Sequence, residues 1–303
     1  MTSLQQLEAL LQAGADQLPP AFKARQLAFL VAAQQPDGGF VGRAGGSDLY
    51  YTDFALRLAA LLGAEPALRL RAAAYVSSLP APRDVVELFC RLNCRRLLGD
   101  GSPEPEATCS RLLTGWALPG GGHAKAPGEP LSAYACFLAA LSEEMLGTLG
   151  QVPAGWVAKQ VLALQGDGGG FRDLAGVGPE QTSATAAATG FLGLTGMLPD
   201  QVGLAAARFL AAQQTPEGGL AAHAAAPVAD LLSTFTGLVA LMGLPGDAAV
   251  DLGGLARFAA ACARPTGGFV AWSGDENPDL EYTYYGVATL ALLRVLLPPG
   301  TEG

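Results

Sequence analysis

Three acidic residues at matched positions are the first feature of the sequence with chemical potential. Asp48, Asp230 and Asp279 each open an apolar stretch, four residues before a threonine (Thr52, Thr234, Thr283) and seven before a small residue (Ala55, Gly237, Gly286). An aspartate at such a place can accept hydrogen bonds from the free N–H groups of a helix start, and capping alone would explain all three. A second reading makes them an acidic arc on one rim, holding Mg²⁺ through hard oxygen ligands. Aromatic residues crowd the same kind of stretch: Tyr50, Tyr51, Phe54, Tyr134, Phe137, Phe235, Tyr282, Tyr284 and Tyr285. Such rings either pack a core or line a site for an apolar guest. Trp272 reads as a packing or rim residue. Cationic groups in the loops (Arg43, Lys125, Arg172, His123, His223) are isolated from one another. Each is either a solvated surface charge or a single contact to an anion. Cys90 and Cys94 lie one helical turn apart, but no nearby His or Cys completes a zinc set. No metal site is assigned.

These residues recur because the chain itself repeats. Gly-rich turns appear at Pro36–Phe40, Pro119–Gly122, Gly168–Phe171, Pro216–Leu220 and Pro265–Phe269. From Gly39 to Gly122, Gly170, Gly219 and Gly268, the spacings are 83, 48, 49 and 49 residues. The first is nearly two periods, so a unit over 66–99 has lost its glycine pair and carries Leu79-Pro80-Ala81-Pro82 instead. Six units result. Each predicts a helix, a glycine turn that supplies a left-handed cap, a polar loop and a second helix. The second helices begin near Asp48, Asp84, Pro130, Gln181, Asp230 and Asp279 and are apolar on nearly every face, as buried helices are. The first helices keep charges on one side. An inner and an outer ring follow: an all-α toroid, or (α/α)6 barrel, in a single domain over 1–303. A helix over 1–19 and the tail 298–303 are expected at its periphery.

Composition agrees. Half of the 303 residues are hydrophobic, with Ala and Leu in place of the β-branched clusters that strands prefer. A net charge of −9 argues against nucleic acid as a partner. Five scattered cysteines suit buried free thiols in a reducing compartment. No secretory signal opens the sequence, and no apolar run reaches the ~20 residues of a transmembrane helix. A cytoplasmic protein is expected.

The pattern Gln-x-x-x-Gly-Gly-Phe followed by an aromatic-rich apolar helix resembles the β subunits of protein prenyltransferases and, more distantly, the squalene and hopene cyclases. The likeness is closest over residues 150–296. There Ala188–Leu192, Thr266–Phe269 and Tyr282–Gly286 look most like the Rab-type geranylgeranyltransferase β subunit. The resemblance implies a toroid whose central funnel holds an isoprenoid chain, with a helical-repeat α subunit, or a second copy, as partner. It also implies where zinc would sit, yet the Cys position is Leu232 and the His position Tyr282, leaving Asp230 alone. The family's basic loop reads His223-Ala224-Ala225-Ala226-Pro227, and the family His before the fourth inner helix is Gln181. Without zinc to activate a thiol, Asp230 or Asp53 would have to act as general base. Arg43, Gln181, Trp272 and the rings at 50, 51, 54, 134, 235, 282, 284 and 285 would form the substrate site. A non-catalytic lipid-binding or interaction module and a terpene cyclase-like enzyme are the alternatives. No Asp-x-Asp-Asp acid is present; Asp48 with Asp53, and Asp275, Glu276, Asp279 and Glu281, are the nearest substitutes.

Overall fold

The Ala- and Leu-rich segments fold as helices. A computed structural model describes residues 1–99, 106–126, 128–150 and 154–297, and the tail over 298–303 lies outside them. In chain order the helices are α1 (Ser3–Ala15), α2 (Pro20–Ala33), α3 (Leu49–Leu62), α4 (Pro66–Ser78), α5 (Val85–Leu98), α6 (Glu106–Trp116) and α7 (Ala133–Leu146). They continue as α8 (Gly155–Leu162), α9 (Thr182–Leu194), α10 (Asp200–Ala212), α11 (Leu231–Gly243), α12 (Leu252–Ala261) and α13 (Leu280–Leu296). A short antiparallel pair, β1 (Phe40–Val41) and β2 (Ser47–Asp48), precedes α3.

From α2 onward the helices alternate. The even-numbered ones each pack on the helix that follows. Their followers, α3, α5, α7, α9, α11 and α13, touch one another in that order, and α13 returns to α3. The inner ring is closed, as expected of the toroid. The segment 1–19 supplies α1, which lies on α13 so closely that a side chain at Gly14 would strike the Ala291 backbone. Its Ser3 N–H donates to Glu144 at the end of α7 at 2.9 Å, and Glu8 pairs with Arg96 at the end of α5.

One packing device recurs and accounts for the Asp, Thr and small-residue pattern. The N–H of Phe40, Phe171, Leu220 and Phe269 donates to the hydroxyl of Thr52, Thr185, Thr234 and Thr283, at 2.8–3.1 Å. Each hydroxyl in turn donates to the carbonyl four residues back, at Asp48, Gln181, Asp230 or Asp279. The small residue makes room for the ring or leucine: a Cβ at Gly237 would lie 2.5 Å from Leu220, and one at Gly286 would collide with Phe269. Thr234→Val should therefore strand the buried Leu220 N–H and lower stability by about 1–3 kcal/mol in urea denaturation. A loss below a few tenths would disprove the role.

The glycine ahead of each such residue joins one unit to the next. Gly38, Gly169, Gly218 and Gly267 have φ of +93°, +90°, +101° and +100° and abut the carbonyls of Arg71, Ala205, Gly254 and Arg25. Those carbonyls belong to α4, α10, α12 and α2, so the last turn docks on the first outer helix. Two units vary the device. In unit two the Arg91 guanidinium donates to the carbonyls of Leu79 and Pro80, at 2.6 and 2.8 Å, where the glycine turn is missing. In unit three His123 takes the phenylalanine place and Cys136 the threonine place, with the His123 N–H 3.3 Å from the sulfur.

Candidate functional site

All six inner helices start at one rim, and hydrogen bonds stitch that rim together. Ala133, Thr182 and Leu231 donate their N–H groups to Asp173, Ala222 and Ala271, each in the loop before the next inner helix. Between α13 and α3 the link is Arg43. Its guanidinium donates to Asp279 and Asp275, both at 2.6 Å, and lies 5.4 Å over the Tyr282 ring. Arg43 remains 38% exposed, so its face toward solvent is open to an anion.

Below Arg43 the aromatic residues form one continuous cluster. Tyr50 meets Tyr51 and Phe54 at centroid distances of 5.6 and 5.0 Å, and Phe54 meets Tyr285 and Tyr284 at 5.3 and 5.7 Å. Phe235 meets Tyr284 and Tyr285 at 5.6 and 5.4 Å, and Tyr282 meets Tyr285 at 6.3 Å. Phe54, Phe235, Tyr284 and Tyr285 are buried, largely by one another. Tyr134, on α7, carries the Lys125 ammonium 5.6 Å over its ring. On the α9 side Ser183, Ala186 and Gly190 stay partly accessible, and Gly193 is exposed. The Phe137 ring of α7 lies against Gly190.

Glu281 stands at the head of the cluster. Tyr50 Oη donates to it at 2.8 Å, the Tyr285 hydroxyl also reaches it, and burial pushes its carboxyl pKa up. An acid whose folded pKa lies above its unfolded value adds stability that is complete below the unfolded value, near 4.3, and is lost as pH rises through the folded one. Glu281→Gln should flatten the stability–pH curve above pH ~4 and raise neutral-pH stability, provided the Tyr50 contact survives. A curve unchanged in shape would show that Glu281 titrates normally.

The remaining residues named from the sequence lie elsewhere. Asp53 is fully buried between α3 and α5, taking Arg57 at 2.5 Å and Asn93 at 2.6 Å. The Arg57 guanidinium lies 5.3, 5.5 and 5.6 Å over Phe54, Phe89 and Tyr284. Arg57, Phe89 and Asn93 were not singled out from the sequence; opposite charges at 53 and 57 inside an apolar helix were the available signal. Gln181 starts α9 without capping it through its side chain, and Trp272, 39% exposed, covers Gly274; neither joins the cluster. The three aspartates do not converge. Asp48 caps Tyr50 and Tyr51, Asp230 caps Ser233 through both its N–H and hydroxyl, and Asp279 caps Tyr282 while binding Arg43. Among the described residues no three His, Cys, Asp or Glu side chains gather as a metal set.

The toroid fold is matched by known proteins. The profile of the prenyltransferase alpha-alpha toroid domain fits residues 1–83, 84–244 and 189–298. The chain belongs to that family. Among solved structures of this fold, Candida albicans protein geranylgeranyltransferase-I complexed with GGPP superposes with a TM-score of 0.71 at 12% identity, over 89% of this chain and 90% of that one. The type II terpene cyclase MstE from Scytonema gives 0.62 at 16% identity, over 97% and 98%. A protein from Actinoplanes gives 0.59 at 16%, over 91% and 99%. No curated protein sequence matches the chain. Within the family, zinc is implied at the positions of Asp230, Leu232 and Tyr282. One capping carboxylate, an isobutyl chain and a phenol beneath Arg43 do not make the several N or S donors that zinc takes. The residues at these positions do not fit the metal. No helix among the described residues is long and apolar enough to cross a membrane.

Proposed function

We propose that this prenyltransferase-fold protein binds a prenyl diphosphate, with the isoprenoid chain in the lumen and the diphosphate at Arg43. The observation that carries this is the continuous aromatic cluster leading down from a half-exposed arginine at the rim. Burying the chain yields ~0.8 kcal/mol per methylene-sized group, a gain set against parting the packed rings beside the small residues of α9. The diphosphate must compete with Asp275 and Asp279 for the guanidinium. That contest sets a modest advantage of diphosphate over alcohol. The narrower likeness to Rab-type β subunits is part of the proposal and rests on the motifs at 188–192, 266–269 and 282–286.

Titration with geranylgeranyl diphosphate and with geranylgeraniol tests it. Both should bind, the diphosphate about tenfold tighter, and Arg43→Ala should erase the difference while sparing the alcohol. If neither ligand binds, the lumen is a packed core and the proposal fails.

A second reading, terpene cyclisation, is favoured by Glu281 alone. Burial raises the pKa of this carboxyl, which Tyr50 and Tyr285 reach, so it keeps its proton to higher pH than a free one and can give it to an alkene carbon. The cation left on the adjacent carbon then faces aromatic rings, and a neighbouring C–H proton returns to the carboxylate. Product analysis after incubation with geranylgeranyl diphosphate separates turnover from simple binding.

A further inference from the structure

Unit three replaces the usual filling with a histidine. Phe40, Phe171, Leu220 and Phe269 are fully buried in their units, whereas His123 at the same place turns its Nε2 to the Leu113 carbonyl at 3.0 Å. A cavity of about 530 Å³ lies beside it, between α6 and α8 outside and α7 and α9 inside. That is within the ~300–1,000 Å³ of small-molecule sites. Cys136, Ala139, Ala140 and Glu143 of α7 line one wall. Their i, i+3, i+4, i+7 spacing is a single helix face, so the slot runs about 10 Å along the helix.

Its walls are mainly apolar, and its two ends are chemically different. At one end His123 is kept neutral, because burial pushes its pKa down, so it offers no cation to an anionic guest. At the other end the Glu143 carboxyl has no hydrogen bond or ion pair among the described residues. A half-buried carboxylate without a partner is unfavourable, and a donor brought by a ligand would relieve it.

We propose that this slot is a binding site, separate from the lumen, for an apolar molecule ending in a primary amine. The tail lies along Cys136, Ala139 and Ala140, and the ammonium meets Glu143. A carboxylate-headed molecule of the same length is disfavoured, since its charge would meet that of Glu143, which has no ion pair among the described residues.

Calorimetric titration of the full chain with n-octylamine, octan-1-ol and octanoate tests the site. Octylamine should bind at least tenfold tighter than octanol, octanoate should be weakest, and each methylene added from hexylamine to octylamine should tighten binding roughly fourfold. Glu143→Gln should bring the amine down to the alcohol and leave the alcohol unchanged. Ala140→Leu, which fills the slot, should weaken both, and geranylgeranyl diphosphate should not displace the amine. Amine and octanoate binding alike, amine affinity unmoved by Glu143→Gln, or no binding of the amine would each overturn the proposal. Should Ala140→Leu fail to fold, the Glu143→Gln result decides alone.

Discussion

Arg57→Met is expected to destabilise the protein by about 3–5 kcal/mol, the usual cost of leaving one member of a buried ion pair without the other. Burial already pushes the Asp53 carboxyl up, and Arg57 and Asn93 oppose that shift. Without Arg57, Asp53 keeps the Asn93 amide and a distant Cys94 sulfur, and three aromatic faces lose their cation. Asp53→Leu combined with Arg57→Met should recover most of the loss, because an apolar pair of similar bulk avoids desolvating charge altogether. Chemical denaturation of the two single variants and the double variant measures the coupling. A cost under 1 kcal/mol for Arg57→Met would falsify the view that this pair is held by mutual compensation.

Gly267→Ala should be comparably damaging. A Cβ there would lie 2.5 Å from the Arg25 carbonyl oxygen, and φ is +100°, where only glycine sits without strain. The conformation alone costs about 1–3 kcal/mol, and rigid helix backbone on the other side cannot yield, so a total near 3 kcal/mol or more is expected. Gly46→Ala is the control: nothing lies within 4 Å of its Cβ position, and its effect should stay within ~0.5 kcal/mol. Thermal unfolding of both variants checks the contrast. Equal melting temperatures would mean that the last turn does not need its close seat on α2.

The architecture was legible because it is repetitive. Glycine pairs near a 49-residue period, alternating with apolar helices, specify six hairpins, and helices apolar all round specify an inner ring. The site was legible only in part. Tyr50, Phe54, Phe235, Tyr284 and Tyr285 converge because each sits within the first two turns of an inner helix, a placement that periodicity reveals. The partners of Asp53 were hidden: Asn93 is 40 residues away and reaches it only when α5 lies beside α3. The shared Asp, Thr and small-residue spacing invited a metal-binding reading, yet its cause is local. Asp caps, Thr holds an N–H, and the small residue admits a ring. The slot beside His123 lies where one repeat differs at two positions, His123 and Cys136, a signal visible only once the other repeats show what normally stands there.

The seat of Gly267 on α2 has a consequence for how the molecule comes apart. In an open array of helix pairs the terminal pairs have one neighbour each and fray first. Here every hairpin has two, so melting has no end from which to spread, and removing any hairpin bares two apolar walls at once. Loss of structure should then be a single cooperative event across the whole chain, with no partly unwound species bearing a subset of the hairpins.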